Sequence, residues 1–193
     1  WMIGALGRRR NAAERDLFIK FDSWNLLELD FIRSVYPTVP WIFLYRDPVE
    51  VIVSHMRQRG SQTVPGAMEK LLPGLSLSDA LQMPAEEYCA RVLARVCEAA
   101  LEHANDDRGL FVNYNQLPAA VTGSIANHFG LSLSSDEVDA INRSARFDAK
   151  TPQMTFEPDS VRKRAAASEA TRQAAPVWLD PLYERLENIR ARG

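Results

Sequence analysis

The sequence predicts an α/β fold in which a parallel sheet is flanked by helices. Two short apolar runs, Trp41–Tyr45 and Leu110–Tyr114, lack the polar alternation of a half-exposed strand and are typical of strands buried on both faces. Between them, Pro84–Ala104 carries apolar residues at helical spacing behind a proline and two glutamates, which favour a helix start. A helix of this length is the usual crossover between parallel strands.

The composition fits one domain and argues against several classes of protein. The 193 residues are enough for a single α/β domain with a full core. A formal net charge of −2 argues against nucleic-acid binding. No apolar run approaches the ~20 residues of a membrane span, so we expect no membrane partner. Cys89 and Cys97 fall about 12 Å apart on one predicted helix, too far for a disulfide, and we expect reduced thiols in a cytoplasmic protein.

The first part of the chain is predicted to form a helix end, a strand and a helix. Residues 1–15 begin apolar and turn basic, which indicates the end of a helix followed by a solvated loop. A run of β-forming side chains predicts a strand near residues 16–21. Asp22 or Ser23 is then placed to cap a helix over Trp24–Arg33.

The junction between the central strand and the next helix is the most informative stretch. Asp47 is placed to be the N-cap, Pro48 fits the first helical position, and Glu50 completes a capping box. Arg46 therefore stands at the carboxyl end of a parallel strand and beside a helix start, where α/β proteins bind ligands and anions. Ser54 follows about two turns into the helix, so the guanidinium and the hydroxyl are predicted to grip one phosphate.

The remaining elements follow from turn residues and caps. Residues 60–84 are rich in Gly, Pro and Ser and form a long connection, a feature often found in lids and binding loops. The other predicted elements are helices: short pieces near 67–72 and 78–82, one ending at Phe129, one from a Ser134 cap to about Ser144, and an amphipathic one over Pro176–Ile189.

The pattern Arg46-Asp47-Pro48-x-Glu50-Val51-x-x-Ser54 resembles the 3′-phosphate-binding element of sulfotransferases that use 3′-phosphoadenosine 5′-phosphosulfate (PAPS). In that family an Arg ends a strand, a Ser lies eight residues later on the next helix, and both contact the 3′-phosphate. Tyr114-x-x-Leu117, followed by a helix ending in Phe-Gly-Leu, is a second resemblance, which implies that Tyr114 contacts the adenine. The alternative for Tyr114 is a core aromatic whose hydroxyl is satisfied.

The resemblance also implies catalytic and lid residues. Lys20 matches a family Lys that stabilises charge, and Asp22 stands where animal cytosolic members carry a catalytic His. A carboxylate there implies a general base for an acceptor hydroxyl, whereas the alternative is a helix cap. Arg162 and Lys163 fit by type and position the basic loop that closes the nucleotide site, and they would neutralise its phosphates. The alternative is a solvated charge run.

One element of that family is not found in this sequence. The sequence contains no Gly-x-x-x-x-Gly-Lys-Ser/Thr loop, and the resemblance runs from about Leu17 to Leu186, the C-terminal two-thirds of a P-loop-like sulfotransferase fold. We therefore expect the native polypeptide to have further residues upstream. The resemblance implies sulfuryl transfer from PAPS to a hydroxyl or amine of a small-molecule acceptor, without a metal. The alternatives are a P-loop kinase acting on ATP and a non-catalytic domain that binds a protein partner.

Overall fold

The structure, a computed structural model, describes residues 4–5, 7–12, 14–68, 71–148 and 151–192. It is an α/β arrangement of two parallel strands among helices, as the sequence predicts. In chain order the elements are a 3₁₀ helix Ser23–Glu28, α1 Leu29–Val35, β1 Trp41–Tyr45, α2 Pro48–Arg57, a 3₁₀ turn Ser61–Thr63, α3 Leu77–Gln82, α4 Ala85–Glu102, β2 Gly109–Asn113, a 3₁₀ turn Tyr114–Gln116, a π-helical segment Val121–Ile125, α5 Ala126–His128, α6 Ser135–Ser144, α7 Ser160–Ala165, α8 Glu169–Trp178 and α9 Asp180–Arg190.

The two strands lie where the sequence predicts them, but β1 is not buried on both faces, since Leu44 is 46% exposed. Trp41 lies opposite Gly109 and Tyr45 opposite Asn113 in the parallel ladder. A Cβ at Gly109 would lie 2.6 Å from the Trp41 ring, so any larger residue at this position would have to displace that ring. β2 ends one residue before Tyr114 because the Asn113 side chain accepts a hydrogen bond from the Asn115 amide at 3.0 Å and caps a 3₁₀ turn.

The predicted strand near residues 16–21 is wrong. This part of the chain forms neither helix nor strand. Leu17 and Phe18 are 50% and 56% exposed, and the Phe18 ring packs edge-on against Phe129, just after α5, at 5.1 Å. β-forming side chains favour a strand only where a neighbouring strand supplies hydrogen bonds and a face to bury, and this segment packs against a helix end instead.

The core is organised around α4, the crossover helix predicted over Pro84–Ala104. It packs against α2, α8 and α9. Its buried side chains recur at intervals of three and four residues, as an amphipathic helix requires, and include Tyr88, Cys89, Val92, Val96 and Ala100. Burial raises the pKa of both the Cys89 and Cys97 thiols to about 12, so these side chains act as apolar packing groups. None of the described helices combines the length and apolarity needed to cross a membrane.

The predicted C-terminal helix over Pro176–Ile189 is in fact two helices. The hydroxyl of Ser168 accepts a hydrogen bond from the Thr171 amide at 3.1 Å and starts α8, so Pro176 falls within this helix and not at its beginning. Leu179, with φ −119°, separates α8 from α9. The predicted helix end in residues 1–15 and the helical piece near 67–72 fall partly on residues 1–3, 6, 13, 69 and 70, which lie outside the described residues.

Asp106 ties the turn before β2 to both α1 and β1. Its Oδ2 lies 2.8 Å from Arg33 Nε and accepts a hydrogen bond from Trp41 Nε1 at 2.9 Å. We expect Asp106→Ala to lower the free energy of unfolding by about 2 kcal/mol, because it leaves a partly buried N–H and a guanidinium without their carboxylate.

Urea unfolding measures this effect, and the neighbouring residue provides the control. The Asp107 side chain is 90% exposed, so Asp107→Ala should change the stability by less than about 0.5 kcal/mol. Equal losses in the two variants would show that the Asp106 contacts contribute nothing.

Candidate functional site

The site is built where β1 ends and α2 begins. Asp47 Oδ1 accepts a hydrogen bond from the Glu50 amide at 3.1 Å, and Pro48 is the first residue of α2, which confirms the predicted cap. The Glu50 carboxylate does not complete a capping box, because it turns toward Arg46, whose Nε donates to Glu50 Oε2 at 2.6 Å. The local sequence thus fixes Arg46 at the strand tip, as predicted.

Arg46 is held on three sides. Besides the Glu50 contact, its Nη2 donates to Asp159 Oδ1 at 2.7 Å, and its guanidinium lies 4.4 Å from the centre of the Tyr114 ring. The Arg46 side chain is only 17% exposed. Burial acts against the charged form, but the hydrogen bonds to Asp159 and Glu50 outweigh it and raise the pKa of Arg46. The guanidinium is therefore a fixed positive charge beside an aromatic ring.

Glu50 is the most deeply buried charge of the site, with a side chain only 3% exposed. Its carboxylate accepts from Ser160 Oγ at 3.0 Å and lies 3.0 Å from Arg164 Nε, in addition to its bond with Arg46. A carboxylate removed from water needs such partners, since an unpaired buried charge is strongly destabilising. Glu50 consequently anchors α7 to α2.

Asp159 is shared between two cations. Its Oδ1 binds Arg46, and its Oδ2 lies 3.0 Å from Lys163 Nζ. Burial alone would raise the pKa of Asp159, but the hydrogen bonds from Arg46 and Lys163 prevail and lower it. The Lys163 side chain is 9% exposed, whereas the neighbouring Arg162 is exposed to solvent.

An apolar cavity of about 250 Å³ adjoins Arg46. It lies against β1, α2, α4 and α9, and Tyr114 stands with Arg46 in its wall. Its apolar lining includes Phe43, Tyr45, Val51, Leu93, Val96, Cys97 and Leu186. Ligand pockets are commonly apolar with a few polar groups that set orientation, so this cavity suits an apolar group that carries an anionic substituent.

Ser54 does not share this cavity. It lies four residues after Glu50 and therefore on the same face of α2 as that carboxylate. Ser54 is half-buried, and the described residues of α2 that line the cavity include Val51 and His55 but not Ser54. The sequence predicted that Arg46 and Ser54 hold one phosphate along this face of α2. In the structure, the Glu50 carboxylate lies on that face.

The two residues predicted to be catalytic lie on the outside of the chain. Lys20 and Asp22 are both exposed. The Asp22 carbonyl accepts a hydrogen bond from the Asn25 amide at 3.0 Å, and its carboxylate makes no cap bond to the 3₁₀ helix that follows. The next residue, Ser23, lines the cavity, so Asp22 flanks the site.

A second polar cluster joins the carboxyl ends of both strands to α9. Asn113 Nδ2 donates to Tyr183 Oη at 2.8 Å and to Glu187 Oε1 at 2.9 Å, and the Tyr45 hydroxyl donates to the same carboxylate. Arg190 Nη2 lies 2.8 Å from Glu187 Oε2. Since Tyr45 and Tyr183 also line the cavity, this cluster fixes one of its walls.

Sequence reasoning missed the roles of Asp159 and Glu187. Asp159 lies four residues before Lys163, a spacing at which helices favour an acid and a base. This spacing was the one local sequence signal for the role of Asp159. Glu187 pairs with Arg190 at a similar spacing, but its contacts with Tyr45 and Asn113 cross most of the chain and leave no local pattern.

The described residues contain no candidate metal centre, and no known protein matches the chain. Among the residues that the structure describes, no group of three or more His, Cys, Asp or Glu side chains is placed to hold a metal ion. Comparisons with protein-family models, with curated proteins and with solved structures give no match. The function is therefore inferred from the sequence resemblance together with the geometry of the site.

Proposed function

We propose that the protein is a PAPS-dependent sulfotransferase with a P-loop-like fold, which transfers a sulfuryl group to a hydroxyl or amine of a small-molecule acceptor. One observation carries the proposal. The resemblance assigns Arg46, Tyr114 and Lys163, from three distant stretches of sequence, to the nucleotide. Arg46 contacts the Tyr114 ring directly and is joined to Lys163 through their shared partner Asp159. The carboxyl ends of parallel strands are the usual ligand site of α/β folds.

The donor would bind through its adenosine 3′-phosphate end. A guanidinium and an ammonium that share one carboxylate, at 2.7 and 3.0 Å, are spaced to donate hydrogen bonds to phosphate oxygens in its place. The adenine would lie against Tyr114 and the apolar lining. The cavity of about 250 Å³ is smaller than the ~300–1,000 Å³ of most ligand pockets, so it suits the base while the phosphates stay at its edge.

In the proposed transfer the acceptor oxygen or nitrogen forms a bond to the sulfur of PAPS. The bond between sulfur and the 5′-phosphate oxygen breaks, and 3′,5′-ADP leaves with that electron pair. Asp22 would take the acceptor proton, and Lys20 would stabilise the charge on the departing oxygen. Both side chains are exposed, and Asp22 directly precedes Ser23, which lines the cavity.

Calorimetric titration with 3′,5′-ADP and with ADP tests the proposal. We expect 3′,5′-ADP to bind about 10- to 100-fold more tightly, because the 3′-phosphate gains hydrogen bonds from charged donors. Lys163→Met should reduce the preference for 3′,5′-ADP over ADP about tenfold. Arg143→Met, at an exposed position of α6, should leave this preference unchanged.

Two other results would each contradict the proposal. Equal or tighter binding of ADP would favour a kinase-like enzyme acting on ATP. No binding of either nucleotide would favour a non-catalytic domain in which the Arg46 ion pairs serve only to hold α7 in place.

A further inference from the structure

We infer that the Asp159 carboxylate occupies the anion subsite formed by Arg46 and Lys163, and that a ligand phosphate or sulfate must displace it. The inference takes the identity of the nucleotide from the proposed function, but the subsite itself is defined by the contacts of these three side chains. Asp159 would thus be an internal competitor, because its carboxylate competes with a ligand anion for Arg46 and Lys163.

The geometry of the three side chains is that of a bound anion. One carboxylate oxygen accepts from Arg46 Nη2 at 2.7 Å and the other lies 3.0 Å from Lys163 Nζ. These are the short distances of charge-assisted bonds to a carboxylate or phosphate. Because the Arg46 and Lys163 side chains are only 17% and 9% exposed, a second anion has no free access to them while Asp159 stays in place.

The charges of the site show what displacement would leave behind. Among the described residues of this site, three cations face three carboxylates, which are Arg46, Lys163 and Arg164 against Asp47, Glu50 and Asp159. The formal charges of these six ion-paired side chains therefore sum to zero. When Asp159 turns away, one positive charge is left without a partner, and this charge favours an incoming anion.

Of the two carboxylates that bind Arg46, Asp159 is better placed to leave than Glu50. Glu50 is 3% exposed and bound by Arg46, Ser160 and Arg164, so its removal would expose a buried ion-pair network. Asp159 is 24% exposed and follows a chain segment whose described residues, 151–158, are all exposed. Rotation of the Asp159 side chain toward solvent frees Arg46 and Lys163 and leaves the packing of α2 unchanged.

Such a competitor would make the site selective for strongly charged ligands. The observed affinity equals the intrinsic affinity multiplied by the fraction of molecules in which Asp159 is turned away. A phosphate dianion offers more charge and more acceptor oxygens than the carboxylate it replaces, whereas a carboxylate ligand offers no advantage. The 3′-phosphate of the nucleotide would therefore be selected against simple organic acids.

The test compares Asp159→Asn, which keeps the shape and removes the charge, with wild type and with Glu157→Gln. Glu157 is exposed two residues earlier in the same segment and controls for net charge. Each protein is titrated calorimetrically with 3′,5′-ADP, with ADP and with inorganic sulfate. We expect Asp159→Asn to bind 3′,5′-ADP and sulfate about tenfold or more tightly than wild type, with ADP nearly unchanged. Glu157→Gln should stay within about twofold of wild type.

The outcomes separate this inference from the proposed function. If wild type binds 3′,5′-ADP and Asp159→Asn binds it equally or more weakly, the competitor is disproved and the nucleotide site remains. If no protein binds nucleotide but Asp159→Asn binds sulfate more tightly, the anion subsite holds and the proposed function fails. No binding of either ligand by any protein overturns both. Asp159→Ala, with a thermal unfolding curve for each protein, serves as the second variant should the asparagine destabilise the fold.

Discussion

Arg46→Met is expected to lower the free energy of unfolding by about 3 kcal/mol and to abolish the binding of 3′,5′-ADP. The stability loss arises because the substitution keeps most of the apolar volume but leaves the Glu50 carboxylate, 3% exposed, without its nearest cation. Arg164 and Ser160 remain as partners of Glu50, so the loss should stay below that of a fully orphaned buried charge. The binding loss arises because the guanidinium is the central donor of the proposed phosphate site.

Two controls separate stability from binding. Arg57→Met changes an exposed cation on the same helix and should alter stability by less than about 0.5 kcal/mol. The double variant Arg46→Met/Glu50→Gln should recover part of the stability, since it no longer buries an unpaired charge, but none of the nucleotide affinity. Urea unfolding and calorimetry measure the two quantities. An Arg46→Met protein that binds 3′,5′-ADP as tightly as wild type would remove Arg46 from the site.

Glu187→Gln is expected to lower the free energy of unfolding at pH 7 by about 2–3 kcal/mol. The hydrogen bond from Arg190 is the main reason that the pKa of Glu187 falls from its ordinary value of 4.5 to about 2; burial opposes this shift, and Asn113 and Tyr45 reinforce it. A folded-state pKa below the unfolded one means that the native state stabilises the ionised carboxylate. The stabilisation is therefore complete above about pH 4.5 and is lost as the pH falls through about 2.

The pH dependence distinguishes this charge effect from simple packing. The stability difference between wild type and Glu187→Gln should be constant near neutral pH and shrink between pH 4.5 and about 2, measured by urea unfolding at each pH. Glu184→Gln, at an exposed position of the same helix, should show no comparable difference. If the stability loss of Glu187→Gln stays the same down to about pH 2, the ionised form of the Glu187 carboxylate is not stabilised by its partners.

Local sequence signals predicted the strands, caps and helices that short-range interactions determine. The apolar run of β1, the Asp47 cap and the proline at the start of α2 fix Arg46 at a strand tip without help from the rest of the chain. The long apolar periodicity of α4 predicted the crossover for the same reason. The prediction of a strand near residues 16–21 was wrong because a strand needs a neighbouring strand to pair with. The β propensity of a segment does not show whether such a neighbour is present.

The contacts that decide the site come from distant parts of the chain. Arg46 and Asp159 are 113 residues apart, and Tyr45 and Glu187 are 142 apart. No spacing rule connects such pairs, because they meet only after α7 packs against α2 and α9 packs against β2. The sequence could therefore identify Arg46, Tyr114 and Lys163 as candidates, but it could not predict that Asp159 would lie between two of them.

The most direct test is a crystal structure of the protein with 3′,5′-ADP. We predict a 3′-phosphate oxygen about 2.7–2.9 Å from Arg46 Nη2, a second within reach of Lys163 Nζ, and the Asp159 side chain turned toward solvent. A nucleotide bound elsewhere, with Arg46 still paired to Asp159, would contradict both the proposed donor site and the role of Asp159.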